Sequence, residues 1–428
     1  MSRWLALLSL AGIALAGMAH AADLAGIWSG IWTKAGDDLT VVVTFERSQA
    51  GFTGSFESHA LGVVGIPFQQ VATDGRKLHF VLAGDESTTT FDGTLKGDRI
   101  DGTLVEGGTK GTFYLVRVSA VAQPIHSRDV TFASGGVTLA GTLIEPTGGG
   151  PYPAIVFLHG SGGEGRWANH YLAESFANAG FAALITDKRG AGQSTGRWQD
   201  AGFEELAGDA AAGIRFMQSQ QEIDGNRIGI YGHSQGGTLA PLVAVRSGHV
   251  AFVIAAAAGG INPAEMEEYS VGNSIGIAGL SPAEAADAST FVRAIVDVAY
   301  RGKPRAELDL LAAQFKDRAW YFAPPPSDNS YWSFSRRIAA YEPATYWRQV
   351  KVPVMLLFGE RDKRVPAAKS SKAIVDALHA GGNAGVTLHI IPKADHTFSL
   401  PSPAGGWPRR VEIEDVMTAW ARASVRQH

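Results

Sequence analysis

The sequence predicts an α/β protein with a mainly parallel sheet, preceded by a smaller domain built only of strands. Three observations support this prediction. Hydrophobic residues alternate with a period of two across residues 22–119. From residue 129 to the end of the chain, apolar runs alternate with amphipathic helical segments, as in a sheet covered by helices on both faces. Several of these apolar runs end directly in glycine-rich turns, where functional groups of such proteins are commonly found.

The composition is that of a folded protein and excludes several classes of function. The 428 residues are 45% apolar and 18% charged, which is enough chain for two domains. A formal net charge of −4 provides no basic surface for nucleic acid, and the absence of cysteine excludes a thiolate metal site. We therefore expect a small-molecule substrate, no nucleic-acid partner, no metal and no cofactor. The oligomeric state is left open.

Residues 1–21 have the pattern of a bacterial signal peptide. Arg3 supplies the positive start, residues 5–17 form an apolar core, and residues 19–21 (Ala-His-Ala) match a cleavage site. The apolar core is too short for a comfortable membrane span, although an uncleaved anchor is the alternative. We expect an exported protein, periplasmic or secreted, with no stable membrane span after cleavage.

Residues 22–119 are predicted to form a small antiparallel barrel or sandwich of seven or eight short strands. Clear strand patterns occur at residues 39–45, 77–82 and 112–116, and Asp-Gly turn signals separate many of the segments. No catalytic grouping is visible in this domain. An accessory structural role is favoured over ligand binding or shielding of a neighbouring site. Residues 120–128, which include Pro124, are predicted to be a linker.

The strongest motif is Gly-His-Ser-Gln-Gly at residues 232–236, directly after the apolar run 227–231. A strand that turns sharply into a helix leaves the apex serine oxygen exposed, and glycines two positions away let the backbones pass closely. Ser234 is therefore a candidate nucleophile. An ordinary glycine-rich turn is the alternative. The motifs elsewhere in the chain distinguish the two interpretations.

Two later motifs supply an acid and a base. The apolar run 352–358 is followed by Glu360 and Asp362, either of which could accept a hydrogen bond from a histidine Nδ1. His396 follows the last strand pattern, at residues 386–391. Histidine, with a free pKa of about 6.5, can take the serine proton and return it to a leaving group. Asp395 is interpreted as a turn residue that orients this loop.

An oxyanion-binding loop is predicted at residues 159–163 (His-Gly-Ser-Gly-Gly), directly after the strand pattern 154–158. Backbone N–H groups of such a loop can face the developing negative charge. Gly160 and Ser161 are the candidate donors here, and Gln235, which follows the serine, is the second donor. His159 is expected to hold the loop. The charged turn 187–194 is interpreted as a hydrogen-bonded support beneath the site.

In their order, these motifs resemble the α/β-hydrolase superfamily and, more narrowly, secreted bacterial serine carboxylesterases with an additional N-terminal β domain. The resemblance covers about residues 129–427, interrupted by an insertion. It implies an α/β-hydrolase fold, with a mainly parallel eight-stranded sheet and helices on both faces. It also implies a catalytic triad of Ser234, Asp362 and His396, since Asp362 rather than Glu360 matches the family position of the acid.

The alternation of strands and helices stops between residues 261 and 341. This segment has helical patterns and an aromatic, proline-rich part at residues 320–334. An insertion between core strands is well placed to cover the site as a helical lid. Its aromatic side chains either line the substrate pocket or pack among themselves.

The sequence predicts a serine hydrolase that cleaves carboxylic esters through an acyl-enzyme at Ser234. The alternative within enzymes is a serine exopeptidase or amidase of the same fold. An exopeptidase needs a charged group to hold a substrate terminus, and Glu265, Glu267 and Glu268 at the lid entrance are the candidates. A ligand-binding protein that has lost activity is the third possibility.

Overall fold

The computed structural model describes residues 23–84, 87–119, 125–402 and 405–426. The predicted signal peptide at residues 1–21 lies outside the described residues. Within the described part, every helix is too short or too polar to cross a membrane.

The N-terminal domain is one antiparallel sheet of nine strands, rather than the seven or eight predicted. The strands are β1 (Gly26–Lys34), β2 (Asp37–Ser48), β3 (Gly51–Ser58), β4 (Val63–Pro67), β5 (Gln70–Thr73), β6 (Lys77–Ala83), β7 (Thr88–Lys96), β8 (Arg99–Glu106) and β9 (Thr109–Val118). Their order in the sheet is β4-β3-β2-β1-β9-β8-β7-β6-β5. The shortest strands are β4 and β5, which carry too few residues for a clear alternation.

This sheet curls into a barrel around a single aromatic core. Phe45 of β2 and Phe80 of β6 are separated by four strands in the sheet, yet their ring centroids are 5.7 Å apart. Such a contact requires the sheet to curve strongly around this core, as in a partly closed barrel. Trp28 and Trp32 of β1 are fully or almost fully buried in the same core.

The second domain is built on an eight-stranded sheet, as the resemblance implies. The strands are β10 (Ile125–Ser134), β11 (Val137–Pro146), β12 (Tyr152–Leu158), β13 (Ala182–Thr186), β14 (Ile223–His233), β15 (Val253–Ala256), β16 (Val354–Gly359) and β17 (Val386–Ile391). Their order is β10-β11-β13-β12-β14-β15-β16-β17, and β12 to β17 are mutually parallel. Because β10 begins at Ile125, it includes the last four residues of the predicted linker 120–128, and the rest of that linker lies outside the described residues.

Helices cover both faces of this sheet. They are α1 (His170–Asn178), α2 (Phe203–Gln218), α3 (Gln235–Ser247), α8 (Pro343–Trp347), α9 (Ala367–Ala380) and α10 (Glu414–Val425). Two consecutive residues of β12 point to opposite faces of the sheet. Val156 packs in the core with α2, α3, α8 and α9, whereas Phe157 packs in the core with α1 and α10. Burial on both faces explains the continuous apolar runs of the parallel strands.

The insertion lies between β15 and β16, where the lid was predicted. Its helices are α4 (Pro263–Ser274), α5 (Pro282–Ala299), α6 (Ala306–Phe315) and α7 (Ser330–Ile338). Phe291, Phe315 and Trp320 form a hydrophobic cluster within the lid, separate from the two cores of the sheet. Many of its aromatic residues therefore pack among themselves, one of the two alternatives considered above.

Short elements complete the fold. Three 3₁₀ turns lie at Arg166–Asn169, Trp198–Asp200 and Ile277–Gly279, and a small hairpin pairs β18 (Ser399–Leu400) with β19 (Arg409–Arg410). This hairpin follows the end of the large sheet and contacts the barrel.

Candidate active site

Ser234 stands at the sharp turn between β14 and α3. Its backbone has φ +55° and ψ −116°, a strained conformation for a residue with a side chain. A Cβ atom on Gly232 would lie 2.3 Å from the carbonyl carbon of Gly236. The turn therefore requires glycine at position 232, and it lifts the Ser234 hydroxyl above the end of the parallel sheet.

His396 and Asp362 meet Ser234 at this edge of the sheet. His396 Nε2 lies 3.0 Å from Ser234 Oγ, and His396 Nδ1 lies 2.7 Å from Asp362 Oδ2. The Asp362 side chain is fully buried, and the His396 side chain is 14% exposed. The structure thus brings the three residues predicted from the sequence into one chain of hydrogen-bonding distances.

Backbone donors hold Asp362 in place. Its Oδ1 accepts from the N–H groups of Arg364 at 2.7 Å and Val365 at 2.8 Å, which leaves Oδ2 facing His396. The competing Glu360 instead accepts from the N–H of Lys393 at 2.7 Å. The carboxylate that faces the histidine is therefore that of Asp362.

The loop around His396 is fixed by local hydrogen bonds. Asp395 Oδ1 accepts from the N–H groups of Thr397 at 2.9 Å and Ser399 at 2.8 Å, the turn role predicted for it. His233, beside Ser234, donates from Nε2 to the backbone oxygen of His396 at 2.8 Å. The two loops that carry the serine and the histidine are thereby joined directly.

The loop after β12 lies on the other side of Ser234. Gly160 N–H donates to Glu164 Oε2 at 2.6 Å, so this group already has a partner, which favours Ser161 over Gly160 as the loop donor. Ser161 lines the same cavity as Ser234 and Gln235 and remains the loop candidate. Gln235 is the first residue of α3, where helix N–H groups lack intrahelical partners and favour negative charge.

His159 holds this loop, as predicted. Its Nε2 donates to the backbone oxygen of Thr186 at 2.5 Å. Burial lowers the pKa of His159 to about 4, so the ring is neutral at neutral pH. It supports the strand ends, and its described hydrogen bonds go to Thr186.

The charged turn after β13 contains structural residues and one residue that reaches the site. Asp187 accepts from Arg166 Nη2 at 2.8 Å, and Arg189 forms a two-bond pair with Asp209 at 2.6 and 2.7 Å. No sequence signal separates Lys188 from the rest of this turn, yet its Nζ donates to Gly160 O and Gln235 Oε1. Burial lowers the pKa of Lys188 to about 8.

A cavity of about 500 Å³ opens above Ser234, between the sheet edge and the lid. Trp198, Phe203 and Met266 contribute apolar surface to its wall, and Glu267 contributes a carboxylate. This volume falls in the range of sites that bind small molecules. The lid helices therefore cover the site that the sheet edge builds.

The three lid glutamates differ in their surroundings. Glu265 pairs with Lys369 and Glu268 pairs with Arg301 at 3.0 Å, whereas Glu267 lines the cavity and accepts a hydrogen bond from the Tyr331 hydroxyl at 2.8 Å. Burial raises the pKa of Glu267 above its usual value. The sequence could not separate the three, because the docking of α4 decides which side chain faces inward.

The parallel sheet, the strained serine turn and the lid together define a hydrolase of the α/β-hydrolase superfamily. The model of the X-Pro dipeptidyl-peptidase (S15) family matches residues 135–397. The chain belongs to this family. The matched segment begins in the turn before β11 and ends one residue after His396. It therefore includes the complete candidate site.

Similar proteins match over shorter segments. The quorum-quenching protein AidA of Acinetobacter baumannii is 35% identical over 127 residues, which are 29% of this chain and 42% of that protein. An uncharacterized protein of Mycobacterium tuberculosis is 33% identical over 128 residues, 30% of this chain and 44% of that protein. The matches thus span less than half the length of these relatives. Among solved structures, an esterase of Pyrococcus furiosus is 18% identical with a TM-score of 0.46, covering 73% of this chain and 96% of its own.

Proposed function

We propose that the protein is a serine hydrolase that cleaves carboxylic esters through an acyl-enzyme at Ser234. The observation that carries this proposal is the position of His396, 3.0 Å from the Ser234 hydroxyl on one side and 2.7 Å from Asp362 on the other. In this arrangement His396 accepts the serine proton during attack on the ester carbonyl. Asp362 keeps the histidine in the required tautomer and stabilises the imidazolium.

The remaining steps follow from the groups around Ser234. The N–H groups of Gln235 and Ser161 stabilise the negative charge on the carbonyl oxygen of the tetrahedral intermediate. His396 then gives its proton to the leaving alcohol, and the acyl group stays on Ser234. Water, activated by His396, hydrolyses this acyl-enzyme and restores the serine. The cavity of about 500 Å³ has room for a small molecule or the end of a short chain.

Covalent labelling combined with turnover tests this proposal. An organophosphate fluoride should modify Ser234, as read by peptide mass spectrometry, and a panel of p-nitrophenyl esters should be hydrolysed. We expect Ser234→Ala to lower kcat by about 10⁴-fold or more with an unchanged melting temperature. Ester turnover that persists in Ser234→Ala would refute the assignment. An unlabelled and inactive wild-type protein would instead support the ligand-binding alternative.

The second candidate is a serine exopeptidase, which two observations favour. The chain belongs to a family named for dipeptidyl-peptidases, and Glu267 places a carboxylate on the wall of the cavity. A partly buried carboxylate is suited to pair with the protonated amino terminus of a peptide. The same serine, histidine and aspartate cleave amides by the same steps.

Substrates with and without a free amino group separate the two candidates. If the protein is an exopeptidase, Glu267→Gln should lower kcat/KM by at least about tenfold for aminoacyl esters and dipeptidyl anilides. The corresponding N-acetylated esters should be unaffected. Glu268→Gln, on the same helix but paired with Arg301, is the matched control. An equal loss on both substrate classes would show that Glu267 does not recognise an amine.

We also propose export across the inner membrane, which residues 1–21 support. Cell fractionation and the N-terminal sequence of the mature protein test this. Recovery of the uncleaved chain in the cytoplasm would contradict it.

A further inference from the structure

We propose that Lys188 is a positioning residue of the oxyanion hole, and that its single ammonium group aligns both N–H donors. This inference rests on the proposed acyl transfer at Ser234. Lys188 follows β13 and is 3% exposed. Its Nζ donates to the backbone oxygen of Gly160 at 2.9 Å and to Oε1 of the Gln235 side chain at 2.8 Å. One side chain therefore joins the loop after β12 to the start of α3.

The first bond sets the direction of the Ser161 N–H. The peptide unit between Gly160 and Ser161 consists of the Gly160 carbonyl and the Ser161 N–H, and in a planar trans peptide these point in opposite directions. Lys188 holds the carbonyl oxygen, so the N–H is directed away from Lys188. Ser161 lines the cavity above Ser234, whereas Lys188 lies behind the loop. We infer that the Ser161 N–H faces the reacting carbonyl.

The second bond acts on the other donor. Gln235 supplies its backbone N–H at the start of α3, and its side chain turns back to Lys188. Holding the side-chain amide restricts rotation of the residue whose N–H has to meet the oxyanion. The distance between the two donors is thereby set through Lys188, and an oxyanion hole depends on donors being placed before the charge develops.

Glu164 completes the arrangement. Its carboxylate accepts the Gly160 N–H at 2.6 Å, so the Gly160 residue is held at its N–H by an anion and at its carbonyl by a cation. The negative charges of Glu164 and Asp209 favour the charged form of Lys188 and partly offset its burial. Burying a charged amine is costly unless its donors find partners, and the described bonds of Lys188 supply two of them. The same two bonds order the loop after β12 relative to the start of α3.

Lys188 is not itself in contact with the reacting atoms. It lies outside the residues that line the cavity above Ser234, and its two described hydrogen bonds go to Gly160 and Gln235. It acts through the two donors, and its loss should therefore affect the transition state more than substrate binding.

Lys188→Met tests this inference, because methionine keeps most of the length of the side chain and removes the donors. We expect kcat for a p-nitrophenyl ester to fall about 10²-fold while KM changes less than about threefold. Affinity for a boronic acid, which forms a tetrahedral adduct with Ser234, should fall in parallel with kcat. Arg189→Met is the matched control, since Arg189 lies on the same turn but pairs with Asp209.

Three results would overturn the inference. These are an unchanged kcat in folded Lys188→Met, an unchanged boronic acid affinity, or an equal loss in Arg189→Met. If Lys188→Met does not fold by circular dichroism, the same measurements on Lys188→Gln decide, with the same expected parallel loss. A wild-type protein that fails to label at Ser234 would contradict the proposed function itself, whereas active wild type with fully active Lys188→Met contradicts this inference alone.

Discussion

Within the described residues, two aspartate–histidine pairs with nearly equal N···O distances lie in two different domains. In the hydrolase domain, His396 Nδ1 lies 2.7 Å from Asp362, and in the barrel, His79 Nδ1 lies 2.8 Å from Asp92. The Asp362 side chain is fully buried, whereas the Asp92 side chain is 71% exposed. His396 also has a hydroxyl at its second nitrogen. Burial and a third group, rather than the pair itself, therefore distinguish a candidate catalytic site from a surface contact.

The topology of the two domains explains this difference. Neighbouring strands of the barrel run in opposite directions, so loops that follow adjacent strands lie at opposite rims. In the hydrolase sheet the strands β12 to β17 are parallel, and their carboxyl ends meet at one edge. The site residues that follow these ends are Ser161, Lys188, Ser234, Asp362 and His396. A parallel sheet thus collects groups that are far apart in the chain.

The largest expected effect comes from the buried pair. Asp362→Asn should lower kcat about 10⁴-fold with little change in KM, because an amide cannot stabilise the imidazolium and permits the wrong histidine tautomer. Steady-state ester hydrolysis measures the loss. An unchanged circular dichroism spectrum and melting temperature show that the variant is still folded. A loss below about tenfold would remove Asp362 from the proposed mechanism.

Asp92→Asn is the matched control in the barrel. The exposed pair lies between β6 and β7, where His79 and Asp92 are direct partners in register. We expect no change in kcat and a change in the free energy of unfolding of at most about 0.5 kcal/mol, since water already solvates both side chains. A clear loss of activity here would mean that the barrel contributes to the chemistry directly.

The barrel does contact the segment that follows His396. Trp407 Nε1 donates to the backbone oxygen of Trp32 at 3.0 Å, and Ser402 Oγ donates to Asp37 at 2.5 Å. The backbone on either side of His396 is strained, with φ +61° at Lys393 and +60° at Phe398. Such conformations persist only where the surrounding structure holds them.

A smaller effect is therefore expected from Trp407→Ala. Loosening the hairpin should displace His396 slightly and lower kcat about tenfold, with KM nearly unchanged. Trp407→Phe, which keeps an aromatic ring in the barrel, should recover part of the activity. Tyr114→Ala on the outer barrel wall is the control, since Tyr114 is partly exposed there. Equal activity of the Trp407 and Tyr114 variants would show that the barrel does not support the histidine loop.

Much of the site could be predicted from the sequence because Ser234, Asp362 and His396 each follow a recognisable strand. The alternation of these strands with helices predicts a mainly parallel sheet, in which their carboxyl ends meet at one edge. The choice between Gly160 and Ser161 could not be made, because it depends on Glu164 and Lys188, whose side chains reach the loop only in the folded chain. Every residue except proline has a backbone N–H, so the residue type does not identify an oxyanion donor. A nucleophile requires a particular residue type, such as serine, which the sequence shows directly.

The barrel was predicted less completely for a related reason. Strands β4 and β5 have five and four residues, too few for a period of two to stand out. They are identified by their pairing with β3 and β6, which only the folded structure shows. Short strands are determined by their partners more than by their own residues.

Within the lid, α5 and α6 bury Phe291 and Phe315 against each other, away from the cores beneath the sheet. A segment that packs on itself can be exchanged as a unit, with few new contacts to satisfy elsewhere. Replacing the whole lid, residues 261–341, should therefore alter which molecules enter the cavity while the serine machinery is inherited unchanged, because α4 and α7 supply most of the cavity wall on the lid side. The selectivity and the reactivity of this protein are, in that sense, separately evolvable traits.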